Sequence, residues 1–361
     1  MIAILAAAAA LPMPQVPPPP VISAGNGQQL IAWHPGEAQC GDAAVRFADR
    51  VTPFLAMGWI NESAPVPPLT ATFRIDATGR PLGIKLDGSG YRPFSTDVAP
   101  ALAASRFSTN VPLDRCRIVY TASHRSLESA TIGEMRAFAI APNERPTAEV
   151  FRRTYPAGSD CFDPAPQPLL RAFPRFDTLP LSPGRIEWSM TGFDIDAAGK
   201  PVNIATVDGT HVAPLDAASR QAVADSRFAG GPRHGCVFPY YRSPSIVAAP
   251  EAPTKEAFSK TSATCPVHAD WVKQPFLIFP PAYERRKIDG WAIIGYDVAP
   301  WGETGNVAVL ASEPTADFGD TAAVIVRQAR RAASATGYTG CVERVVFRMK
   351  RDGAARAGAP N

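Results

Sequence analysis

A chain of 361 residues with 46% apolar and 19% charged residues has the make-up of a folded protein of two or three domains, each able to bury its own core. A net charge of +3, with no Arg/Lys run interleaved with aromatics, excludes a nucleic-acid footprint, and no nucleic-acid partner is expected. The 38 prolines gather at Pro17 to Pro20 and between the periodic stretches, where linkers and strand edges tolerate them.

The first element is the apolar run Ile2 to Leu11, too short to span a membrane and followed by small residues and then prolines. Residues 1–20 read as a secretory signal and Pro-rich start, with cleavage between Ala7 and Pro20, so the mature chain is expected to be exported without a membrane span.

Residues 27–122 form the first of three modules. After Cys40, Ala43 to Leu55 is expected to form a short helix, and Pro65, Pro67 and Pro68 lead into a strand. Thr70 to Asp76 alternates, with Phe73 and Ile75 on one face and Arg74 on the other. Gly79 closes the turn at positive φ, and Pro81 to Leu86 returns as the second strand of a hairpin. The stretch Phe73 to Pro81 recurs as Phe193 to Pro201 and, more loosely, as Tyr296 through Gly302, which makes the chain an internal repeat. A helix follows in each copy, with Phe94-Ser95, Leu215-Asp216 and Phe318-Gly319 as the expected openings. Two turns on, Leu102, Val223 and Val326 fall on one buried face. Copies one and two then share Ser105-Arg106-Phe107 and Ser226-Arg227-Phe228, where the third has Arg330-Arg331 and no Phe. Each copy ends on an apolar strand, and Pro239 marks the second copy's strand as a sheet edge. The fold class is therefore α+β, each module a small antiparallel sheet with one packed helix.

Residues 123–160 connect the first two modules, and Met135 to Ile140 within them is a candidate extra strand. The second module covers 161–243, a Pro-rich linker 244–264, the third module 265–350, and a basic, disordered tail 351–361.

The six cysteines fall two to a copy, at Cys40 and Cys116, Cys161 and Cys236, Cys265 and Cys341. Six cysteines permit 15 pairings, but a shared spacing in three copies favours one bond inside each. Such bonds need an oxidising compartment, in agreement with the signal-like start. Each closed loop would contribute about 4.5 kcal/mol in the chain-entropy account. A zinc site is disfavoured, because no Cys-x-x-Cys occurs and His234 and His268 lack counterparts in the other copies.

Tyr283-Glu284-Arg285-Arg286, Gly290-Trp291-Ala292-Ile293-Ile294-Gly295-Tyr296-Asp297-Val298, Gly302, Asn306-Val307-Ala308-Val309 and the Ala322-Ala323 helix resemble the TonB C-terminal domain. The first two copies resemble it more distantly. The resemblance implies a periplasmic, non-enzymatic domain that captures a short peptide of an outer-membrane receptor as an added strand on its sheet edge. It points to the third module's last strand, Val345, Val346, Phe347, Arg348 and Met349, as the peptide-binding edge. An energy transducer of that family would also carry an uncleaved membrane helix and a long Pro-Glu/Pro-Lys spacer, and neither is read here.

No catalytic constellation accompanies the repeat. Gly-x-Ser-x-Gly and His-Glu-x-x-His are absent, and His34, His124, His211, His234 and His268 do not recur between copies. Asp194-Ile195-Asp196 has the alternation of a Ca²⁺ loop but lacks its remaining ligands, so Asp196 and Asp76 are read as capping their own turns. Asp87-Gly88-Ser89-Gly90 lacks the Lys of a phosphate loop and reads as a surface turn. Tyr240 and Tyr241 are candidates for the sheet face or a peptide groove. No enzyme activity, metal or cofactor is expected. The reading is an exported binder of protein segments, with an envelope scaffold of mutually packed modules as the alternative.

Overall fold

The computed structural model describes residues 27–60, 66–87, 94–140, 146–266 and 271–350. The signal-like segment, the Gly88-Ser89-Gly90 turn, His268 and the basic tail lie outside them.

The first part of the chain contains β1 (Gln28–Pro35), β2 (Ala38–Cys40), β3 (Ala43–Val45), β4 (Phe47–Asp49), β5 (Ala56–Trp59), β6 (Leu69–Ile75), β7 (Pro81–Asp87), α1 (Val98–Ala104), β8 (Arg106–Phe107) and β9 (Leu113–Ser126). Two helices follow, α2 (Ile132–Ile140) and α3 (Ala148–Arg152). Next come β10 (Gln167–Leu170), β11 (Glu187–Ile195), β12 (Pro201–Gly209), α4 (Ala213–Asp225), β13 (Arg227–Ala229) and β14 (Arg233–Arg242). The last part holds β15 (Trp271–Lys273), α5 (Pro281–Arg285), β16 (Gly290–Val298), β17 (Thr304–Glu313), α6 (Ala316–Arg327), β18 (Arg330–Arg331) and β19 (Tyr338–Phe347). The protein is α+β, built of small antiparallel sheets with helices packed on them.

One element order occurs three times: β6-β7-α1-β8-β9, β11-β12-α4-β13-β14 and β16-β17-α6-β18-β19. In each unit the first long strand lies between the second and the last. The hairpin turns have one cause. Gly79, Gly199 and Gly302 sit at φ of +78°, +77° and +91°, and each amide closes the turn onto Asp76, Asp196 or Ala299. A Cβ at these glycines would collide with the carbonyl oxygen of Phe107, Phe228 or Arg331, so both conformation and space demand glycine. Asp76 and Asp196 cap these turns, each accepting two backbone N–H bonds through Oδ1. Leu102, Val223 and Val326 are fully buried under their sheets, each contributing about 1.5–3 kcal/mol of burial.

The repeated Ser-Arg-Phe also has a structural cause. Ser105 Oγ donates to Ala101 O and accepts from Val51 N, and Ser226 Oγ donates to Ala222 O and accepts from Ala172 N. The hydroxyl thus ends the helix and ties down the segment that follows β4 or β10.

Several expectations are corrected. Ala43 to Leu55 is not helical. It holds β3 and β4, because Phe47 pairs with Phe107 and stacks on its ring at 4.4 Å. Met135 to Ile140 is not a strand but lies in α2. Thr131 and Glu134 form a reciprocal capping box there, and Met135, Phe138 and Ala139 bury one face at helical spacing. The helix openings also shift: the N-caps are Asp97, Val212 and Thr315. Pro214 fits the first turn of α4, so that helix starts ahead of Leu215-Asp216.

Cores are shared unequally. The first and third units contribute to one apolar cluster that includes Ile84, Leu102, Ile288 and Phe318, whereas the second has its own around Phe193, Val223 and Phe228. Helix α2 caps the far face of the second unit's sheet, where Ala137 and Ile140 meet Trp188, Met190 and Val237.

Candidate functional site

Each unit ends on a strand with one side available for further pairing, and the three solve that problem differently. Cys40–Cys116, Cys161–Cys236 and Cys265–Cys341 are the three disulfides, and the second cysteine of each marks an equivalent position on the three last strands. On β9 the outer edge is occupied by the chain's own β1 and β2. Pro35 lies opposite Tyr120, His34 opposite Thr121, Trp33 opposite Ala122 and Cys40 opposite Cys116, all antiparallel. On β14 the outer position three residues past the disulfide is Pro239, which offers no N–H. Its counterpart Val119 faces outward, since Val119 O accepts from Gly36 N at 2.8 Å.

On β19 the corresponding edge is unpaired. Thr264 N donates to Thr339 O at the strand's start, as Asp160 N does to His234 O in the second unit. Beyond that point no strand and no backbone hydrogen bond reaches the outer edge of β19 among the described residues. Val346 corresponds to Thr121, five residues past the disulfide in each case. Met349 N donates inward to Asp289 Oδ1 at 2.7 Å. Alternation along an extended strand therefore turns the backbone groups of Val346 and Arg348 outward.

Residues 248–266 run alongside this edge and wall it into a groove. One cavity of about 660 Å³ lies between Lys255, Glu256 and β19 residues Val342 and Glu343. Another of about 600 Å³ lies between Ala249, Pro250 and β19 residues Arg344 and Val346. Trp291 Nε1 donates to Pro250 O at 2.9 Å, which pins the groove wall to the sheet face.

Of the residues expected to bind, Val345 and Val346 lie in β19, and Arg348 and Met349 follow it. The strand is Tyr338–Phe347, so it stops short of Arg348 and Met349. Phe347 cannot serve as a contact side chain, because it is fully buried against Phe318, 5.2 Å away, and Phe279. Val345 is half-buried on the same core. Tyr240 is also buried, its hydroxyl donating to Ala172 O, while Tyr241 is exposed.

A second feature of the groove was visible in sequence only as a missing Phe. Phe107 N, Phe228 N and Arg331 N each donate to the turn glycine's carbonyl, which makes Arg331 the counterpart of the two phenylalanines. Phe107 stacks with Phe47 and Phe73, and Phe228 packs on Phe193 and Phe238. Arg331 instead lies over the Trp271 ring, 3.6 Å from its centroid, and donates to Tyr296 Oη at 2.7 Å and Glu343 Oε2 at 3.1 Å. Burial pushes the Tyr296 hydroxyl up. The floor of the groove is thus a polar stack where the other units have aromatic core.

The bulge beside each turn differs too. Asp297 accepts from Asn306 Nδ2 and Gly340 N, and Asp194 from Asn203 Nδ2 and Gly235 N. Those bonds hold both carboxyls below the usual range. With Asp194 and Asp196 committed to these roles, the Ca²⁺-like alternation has a turn function, and no metal-binding cluster of His, Cys, Asp and Glu occurs among the described residues. The first unit has Arg74 and Gly83 at these places and borrows a carboxylate from the third. Glu313 accepts from Arg74 Nη2 at 2.7 Å and Gly83 N at 2.6 Å. Burial raises the Glu313 carboxyl even so.

Arg286 ties the units more tightly. It pairs with Asp97 inside the protein, Nε to Oδ1 at 2.7 Å, donates to Gly184 O and Thr52 O at 3.0 Å each, and lies over the Phe54 ring.

Among the described residues no helix is long and apolar enough to cross a membrane. No family model matches the chain, and no curated protein matches it in sequence.

Proposed function

We propose that the chain is an exported, non-enzymatic protein of three modules similar to the TonB C-terminal domain, which binds extended protein segments by strand addition to the outer edge of β19. One observation carries this reading: the equivalent edge in the first module is completed by the chain's own β1, so this sheet accepts an antiparallel strand there. With β9 occupied and β14 lacking a donor at Pro239, β19 is the edge best suited to a partner. The three disulfides support folding in an oxidising compartment, and the periplasm is the compartment proposed. The N-terminal segments of outer-membrane receptors are the partners this reading names, with backbone pairing supplying affinity and little sequence selectivity.

A second reading, an envelope scaffold whose modules bind one another, draws on the Glu313–Arg74 and Arg286–Asp97 contacts between the first and third modules. Calorimetric titration of the full oxidised chain with receptor-type peptides separates the two. Under the first reading wild type binds, Val346→Pro loses capture because an outward donor is removed, and Ser245→Ala binds as wild type. Absence of binding by the folded, oxidised chain would favour the scaffold.

A further inference from the structure

The three units and α2 meet around a cavity of about 420 Å³, far from β19 in sequence and lined by another set of residues. Its size falls within the range of small-molecule sites. Trp33, Phe54, Ile186 and Trp188 give it apolar walls. Its titratable lining is His34, Arg50, Arg185 and Arg286, and no Asp or Glu takes part.

The cations are not equivalent. Arg286 is neutralised by Asp97 and Arg185 by Asp49, both carboxylates lying outside the lining. Those pairings hold the two guanidinium groups in place at the wall. Arg50 is exposed and has no ion-pair partner among the described residues, although its carbonyl accepts from Arg185 Nη2. His34 Nε2 is within 2.7 Å of Ser123 Oγ. A free cation at the mouth of an apolar cavity without carboxylates selects for one negative charge on an apolar body, because the walls exclude water and strengthen the charge contact.

We propose that this junction is a binding site for a small amphipathic carboxylate, its apolar body between Phe54 and Trp188 and its head on Arg50. Three segments that belong to different units supply the walls, so an occupant bridges the first and second units beside the Arg286 tie. The proposal does not depend on strand addition at β19.

The test is calorimetry, with tryptophan fluorescence in parallel, on the full oxidised chain using decanoate, decyltrimethylammonium and decanol. Decanoate is expected to bind at one site and change the tryptophan emission, with the cation of equal chain length at least about tenfold weaker. Arg50→Gln, at an exposed position, should weaken decanoate about tenfold and leave decanol unchanged. Ala32→Glu, which adds a carboxylate to the lining, should act in the same direction. Neither substitution should alter peptide capture at β19. Equal affinity for anion and cation, or decanoate binding unchanged in both variants at wild-type melting temperature, would overturn the proposal.

Discussion

The first and third units have the same element order and the same disulfide separation of 76 residues, yet they finish their sheets in opposite ways. The first covers its last strand with β1 and β2, packs its turn against an aromatic stack, and takes a carboxylate from its neighbour. The third has no strand on the outer edge of its last strand among the described residues, replaces the stack with Trp271, Arg331 and Tyr296, and keeps a carboxylate of its own in Asp297. The difference teaches that the sheet is generic and that the segments flanking it decide what its edge can do. In the first unit the flanking chain is a strand. In the third it is an irregular wall set off from β19 by cavities.

The largest test of this comparison removes what joins the two units. Arg286→Ala removes the ion-pair partner of the buried Asp97, which keeps the Phe54 amide, and should cost about 3–5 kcal/mol in denaturant unfolding. An unchanged midpoint would mean the tie is not part of the folded core. Next come the turns that the units share: Gly79→Val and Gly199→Val should each cost on the order of 1–3 kcal/mol or more, since a β-branched residue meets both positive φ and a carbonyl. Wild-type melting in either variant would contradict the turn geometry.

A smaller effect, of opposite sign, is expected in the second unit. Thr191 is fully buried with its hydroxyl unpaired, where the first and third units place Ala71 and Ile294. Thr191→Val should therefore stabilise, by about 1 kcal/mol, and a loss of stability would reveal a partner for that hydroxyl. The smallest effect is on pH dependence. Asp194 and Asp297 are held below the usual carboxylate range by Asn203 and Asn306 and by the Gly235 and Gly340 amides. Their contribution is present above the unfolded Asp value of about 4 and is lost as pH falls through the lower folded values. The Asp194→Asn/Asp297→Asn double variant should flatten the acid limb of a melting-temperature profile. The first unit, with Arg74 at this place, has no such term, and a profile identical to wild type would remove the argument.

The repeat, the hairpin turns at Gly79, Gly199 and Gly302, the buried helix positions and the cysteine partners were legible because each depends on residues close in sequence or on one spacing used three times. Local period failed at Ala43 to Leu55, where packing of Phe47 on Phe107 outweighs helix propensity, and the capping box at Thr131 and Glu134 was a signal that could have identified α2. What only the tertiary structure decided is which edge stays open. That outcome rests on β1 crossing to β9 and on residues 248–266 lining β19 without forming a strand on it; the reach of Glu313 to Gly83 across 230 residues is equally a tertiary outcome. Backbone pairing and ion pairing over such separations carry no short-range pattern. The same residue types would read alike whether a strand edge were covered or bare, because the edge is defined by what lies beside it in space.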